Sequence, residues 1–138
     1  MGCSADEPKL PPVVARLGRI EYRSNTDVAA CVDAPRRLLE RVEAVEKLLG
    51  IRGPERIVYV HESDPSRASA WPCDTRKLSC ADGSTVYAQA YANLHEIVHA
   101  TLSGIEQPSG LLVEGMATAF GLNDVAILGK LARGGEVP

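Results

Sequence analysis

The sequence predicts an α+β domain. A small mixed sheet packs on an N-terminal amphipathic helix, on a second helix carrying His95-Glu96-Ile97-Val98-His99, and on a following helix carrying Glu114. Three observations predict it. Leu38, Val42, Val45 and Leu49 recur at i, i+4, i+7 and i+11, which is one face of a helix. Ile57-Val58-Tyr59-Val60 is a short apolar run after Gly53-Pro54, the pattern of a central strand. Leu94, Ile97, Val98 and Leu102 make the segment around His95–His99 apolar elsewhere, and Leu111–Phe120 is apolar except for Glu114 and Thr118, four residues apart.

Taken in order, residues 1–12 are polar and Pro-rich and end in Pro11-Pro12, so they read as a flexible leader or tether. Residues 13–138 suit one domain with a modest core. Arg19–Arg23 alternates polar and apolar, as a half-buried strand does. Asp33 is a candidate N-cap, Pro35 suits a first helical turn, and Gly50 is the expected stop. His61 and Glu62 end the central strand, and a lone histidine there reads first as structural. Residues 63–84 read as a long loop with one short strand near Ala68–Trp71, and Thr85-Val86-Tyr87 as another short strand. The next helix is expected from about Ala88 to Ser103, ended by Gly104. Pro108 and Gly110 open the following one, and a last short helix is expected over Asn123–Ala132.

Composition excludes several classes. With 15 basic and 18 acidic residues the net charge is −3, so no basic field points to nucleic acid. No apolar run approaches the roughly 20 residues of a membrane span.

The string His95-Glu96-Ile97-Val98-His99 narrows the rest. One turn apart on a helix, His95 and His99 share a face. Two imidazoles at that spacing can hold one Zn2+ with nitrogens about 2.0–2.1 Å from the metal. Glu96, about 100° round the helix, is placed to reach a water on that metal as a general base. Histidine is scarce, three in 138 residues, and the string would arise in a shuffled chain with a chance of roughly 0.5%. A catalytic zinc usually has three protein ligands, so a third is sought downstream. The metzincin extension is absent, because Leu102 and Ile105 stand where glycine and histidine belong. Glu114 is the better candidate. It is, with Thr118, one of two polar side chains in Leu111–Phe120, and a carboxylate in such a stretch asks for a cation.

At this point the chain resembles the gluzincin metallopeptidases, which include thermolysin-like and aminopeptidase N-like enzymes. The resemblance rests on His95-Glu96-Ile97-Val98-His99-Ala100 followed by Glu114-Gly115-Met116-Ala117, and it covers roughly residues 85–121. It implies a zincin-like fold and one Zn2+ per chain held by His95, His99 and Glu114, with Glu96 as the base. It also implies peptide or protein substrate, laid along an edge strand beside the active helix. Thr85–Tyr87 and Ala68–Trp71 are both open for that part. In the thermolysin branch an aspartate stands four residues after the ligand glutamate and orients a histidine; here that place is Thr118, which offers a weaker hydrogen bond behind the ligands. Family enzymes add a tyrosine or histidine donor to the oxyanion, often from beyond the glutamate helix. The 18 residues after Phe120 contain neither. Tyr87, Tyr91 and His61 are the upstream candidates, and the domain is expected to be either shortened at its C-terminus or a reduced enzyme. The alternatives are an inert zinc-binding envelope protein keeping the fold, and a closed structural zinc site completed by a cysteine.

The four cysteines are Cys3, Cys31, Cys73 and Cys80. Cys73 and Cys80 bracket a polar loop and are the expected disulfide; other pairings would use Cys31. Met1-Gly2-Cys3-Ser4 resembles the start of a mature bacterial lipoprotein, which implies a lipid anchor at Cys3 and an extracytoplasmic address in the cell envelope or beyond it.

Overall fold

A computed structural model describes residues 10–26, 33–68, 71–73, 78–105 and 110–120. The expectations for Cys3, Cys31 and the helix over Asn123–Ala132 lie outside these residues. The described chain is α+β, with one five-stranded mixed sheet and four helices. Strands β1 (Val13–Leu17) and β2 (Ile20–Ser24) form a hairpin, and Gly18 supplies the positive φ its turn requires. Helix α1 (Ala34–Leu49) then crosses to β3 (Ile57–His61), which pairs parallel to β2. A single turn, α2 (Pro65–Ala68), leads towards the outer strand β4 (Ser79–Asp82) and its antiparallel neighbour β5 (Thr85–Ala88), which pairs parallel to β3. Helices α3 (Leu94–Leu102) and α4 (Gly110–Phe120) follow. The sheet order is β1-β2-β3-β5-β4.

The period-2 alternation of the strands divides the core in two. Ile20, Tyr22, Ile57, Tyr59, Val86 and Ala88 face Leu38 and Val42 of α1 and Leu94, Ile97 and Ala100 of α3. On the other face Val58, Val60, Cys80 and Tyr87 pack with Ala68 and Trp71. Burial on this scale makes single truncations expensive; Leu38, fully buried, would cost about 2–5 kcal/mol as alanine.

Several expectations change in detail. Gly50 ends α1 in the left-handed conformation with its N–H on the Glu46 carbonyl, as its sequence position predicts. Asp33 does not cap. It is itself left-handed, and its carboxylate pairs with Arg36 instead. Pro11 and Pro12, read as the end of a leader, accept hydrogen bonds on their carbonyls from Arg23 and from the Ser24 N–H. They thereby continue the edge made by β1. Residues 63–84 are not one loop, because β4 lies within them. Of the strand expected near Ala68–Trp71, the described residues are otherwise: Ala68 ends α2, and the Trp71 N–H bonds back to the Ala68 carbonyl. The outer strand beside α3 is β4, so Thr85–Tyr87 lies inside the sheet, between β3 and β4.

The largest shift concerns α3, which starts at Leu94 rather than near Ala88. Ala88 is the last residue of β5, and the link after it bends over residues 89–91 and is held by two buried phenols. The Tyr22 hydroxyl donates to the Tyr91 carbonyl at 2.7 Å, and the Tyr59 hydroxyl donates to the Ala90 carbonyl at 2.7 Å. The same Tyr59 oxygen accepts the Asn93 N–H at 2.8 Å. The two rings stack with centroids 5.2 Å apart, and burial pushes both hydroxyls well above the usual tyrosine range, so they stay neutral donors. Sheet and helix are thus joined by hydrogen bonds at the point where α3 begins. No helix among the described residues is long and apolar enough to cross a membrane.

Candidate metal centre

Asn93 caps α3: its side-chain oxygen accepts the Glu96 N–H at 3.0 Å. Asn93 and Glu96 stand three apart, the spacing of a capping box, a signal present in the sequence and passed over. The cap fixes the first turn, which carries His95, and His99 follows one turn later on the same side. Their opposite neighbours Ile97, Val98 and Ala100 are buried. Helix α4 packs on α3 through Val98, Leu102 and Ala117, with Val45 of α1 in the same cluster. That packing turns Glu114 back towards the two histidines.

Three donor atoms converge. The Nε2 atoms of His95 and His99 are 3.2 Å apart. Glu114 Oε1 lies 2.5 Å from His99 Nε2 and 3.7 Å from His95 Nε2. All three offer ligand atoms within 4.8 Å of one another. Tetrahedral zinc with bonds of about 2.0–2.1 Å places its ligand atoms about 3.3 Å apart, so the imidazole pair has the required separation and the carboxylate needs a shift of under about 1 Å. The side chains are partly open to solvent, 34% for His95, 19% for His99 and 62% for Glu114. An ion can reach them.

The group opens on a cleft of about 560 Å³. One wall is α3 with His95, Glu96 and His99; the other is β4 with Ser79, Ala81 and the Cys73–Cys80 disulfide, whose Cα atoms are 6.2 Å apart. Among the described lining residues there are two carboxylates, Glu96 and Glu114, and neither lysine nor arginine. The cleft therefore favours a cation. Glu96 Oε1 accepts a hydrogen bond from the Ser79 hydroxyl at 3.1 Å. Sequence reading missed Ser79, and no spacing or motif could have found it, since the contact spans a sheet edge and a helix.

The remaining candidates lie elsewhere. Thr118 is exposed on α4 and has no hydrogen-bond partner among the described residues. Tyr87 is buried on the far face of the sheet, its ring 5.9 Å from Trp71. Tyr91 packs its ring 4.7 Å from His61. His61 is 2% exposed, with Nδ1 on the Ser24 hydroxyl at 2.8 Å. None of these four lines the cleft. Comparison with known protein families, with curated proteins and with solved structures finds no match to this chain.

Proposed function

We propose that this protein is a zinc-dependent metallopeptidase of gluzincin type, with zincin-like architecture. The observation that carries the reading is the convergence of His95, His99 and Glu114 beside a second carboxylate, Glu96, in one open, anionic cleft. The donor set, two imidazoles and a carboxylate with room for a further ligand, suits catalytic zinc better than a closed structural site. Among the described residues no cysteine belongs to the group, and Cys73 and Cys80 are joined to each other. That argues against a closed site completed by Cys73 or Cys80.

His95, His99 and Glu114 would hold the ion, which when bound would act as a Lewis acid on a peptide carbonyl. Glu96 takes the proton from the attacking water and returns it to the leaving amine. Strand β4 is the outermost of the described strands and lies beside the cleft, so an extended peptide can pair with its outer edge and bring a carbonyl to the centre with little demand on side chains. The disulfide supports an extracytoplasmic address, where such bonds persist, and a lipid anchor at Cys3 belongs to the same reading.

A second reading, an inert zinc-binding envelope protein, draws on one observation. Tyr87, Tyr91 and His61 all lie off the cleft, so no tyrosine or histidine oxyanion donor lines it among the described residues. One experiment separates the two. Metal analysis should find one zinc per chain in wild type and in Glu96→Gln. Peptide-library cleavage should fall about 10²- to 10⁴-fold in the variant, the usual contribution of a general base. Zinc in both proteins with no cleavage by either would establish the inert module.

A further inference from the structure

Glu96 is held at two places. Its backbone N–H is fixed by Asn93, and its carboxylate Oε1 accepts from Ser79. The serine is not on a loose strand. Ser79 pairs with Ala88, and the Leu78 carbonyl before it accepts the Gln89 N–H at 3.1 Å. The residue after it, Cys80, is buried against the far face of the sheet and bonded to Cys73. Alternation along β4 then sends the Ser79 side chain, with Ala81, to the face where α3 lies. Glu96 Oε2 has no hydrogen-bond partner among the described residues.

We propose that Ser79 is a positioning residue for Glu96, its hydroxyl holding one carboxylate oxygen against the sheet so that the other is presented to the cleft. The inference rests on the reading of Glu96 as the base. A glutamate at a cleft wall has three side-chain torsions to restrict, and a hydrogen bond to an ionised group restricts them more strongly than one between neutral groups. The donor comes from a different element from the base. The arrangement of base and ligands on α3 is therefore completed only when β4 is docked. The disulfide ties β4 at the next residue, Cys80, whose side chain packs with Val58, Val60 and Tyr87.

The test is a double-mutant cycle on the zinc-loaded full chain, using Ser79→Ala, Ser79→Thr, Glu96→Gln and Ser79→Ala/Glu96→Gln. Two quantities are read: peptide turnover, and the affinity of a simple peptide hydroxamate measured by calorimetry, which does not depend on turnover. Ser79→Ala should lower kcat about 10-fold with KM and zinc content unchanged, and should weaken the hydroxamate about 3- to 10-fold. Ser79→Thr, which keeps the hydroxyl and suits a strand, should stay within about 2-fold of wild type. In the Glu96→Gln background the serine substitution should have little further effect. An equal loss in that background would show that Ser79 shapes the cleft rather than the base, and would overturn the proposal; so would wild-type behaviour of Ser79→Ala. Should Glu96→Gln itself alter neither quantity, Glu96 is no base. The peptidase reading then fails first, and the positioning role fails with it.

Discussion

The protein has three histidines, and the structure puts them in two opposite environments. His61 closes β3 in the interior, flanked by the rings of Tyr22 and Tyr91 and bonded to Ser24. Its Nε2 has no hydrogen-bond partner among the described residues. Burial holds its pKa below the usual histidine value, against the opposing pull of Glu62, so it stays neutral. His95 and His99 sit on the open side of α3 with a carboxylate against them. Burial alone thus does not make a histidine a ligand. What distinguishes the pair is access from solvent and a second donor converging on the same point.

The sharpest way to break this contrast is to remove one histidine from each environment. His99→Ala should cost about 10³-fold or more in zinc affinity, beyond the 10- to 100-fold that outer partners contribute. His61→Ala should still bind one zinc per chain; chelator competition followed by elemental analysis reads both. Next in size is the effect on folding. His61→Ala removes a buried ring and should lower the unfolding free energy of the metal-free protein by about 2–4 kcal/mol in urea titrations. His99→Ala, whose side chain is partly exposed, should cost less than about 1 kcal/mol there. A reversal of these two stabilities would mean that the assignments of structural and ligating histidine are exchanged.

Glu114 sharpens the same comparison. Glu114→Ala should leave folding nearly unchanged, since the side chain is mostly exposed, and weaken zinc about 10-fold or more. Unaltered affinity would reduce the group to a histidine pair. The smallest effect expected is in pH. Because burial disfavours the protonated form of His61, its folded pKa lies below the unfolded value of about 6.5. As pH falls through about 6.5, the unfolded chain takes up a proton that the folded chain does not. Stability then declines, by at most about 1.4 kcal/mol per pH unit, until the folded pKa is passed. The difference between wild type and His61→Gln should therefore narrow from pH 7.5 to pH 5.5.

Much of the fold was readable because its signals are local. The i, i+4, i+7 spacing of Leu38, Val42 and Val45 marks the buried face of α1, and Gly50 marks its end. The run Ile57–Val60 became the middle strand of the sheet. The polar stretch between Cys73 and Cys80 announced their pairing. Strands β1 and β4 were not readable. Val13-Val14-Ala15 does not alternate, and Ser79-Cys80-Ala81-Asp82 is short and half polar. Each is a strand because a neighbour offers it a ladder, which is a property of the sheet and not of the segment.

The candidate site divides in the same way. Sequence alone determined that His95 and His99 share one face of a helix, that Glu96 stands beside them, and that Glu114 is the carboxylate in the next apolar segment. Those relations follow from helical periodicity, which acts over four residues. Only the tertiary structure decided that Glu114 turns back to within 2.5 Å of His99, that His61, Tyr87 and Tyr91 stay away from the cleft, and that Ser79 reaches Glu96. The docking of α4 on α3 and of β4 on the sheet brings these groups together or keeps them apart. It depends on apolar side chains from distant parts of the chain excluding water together, which no local spacing records.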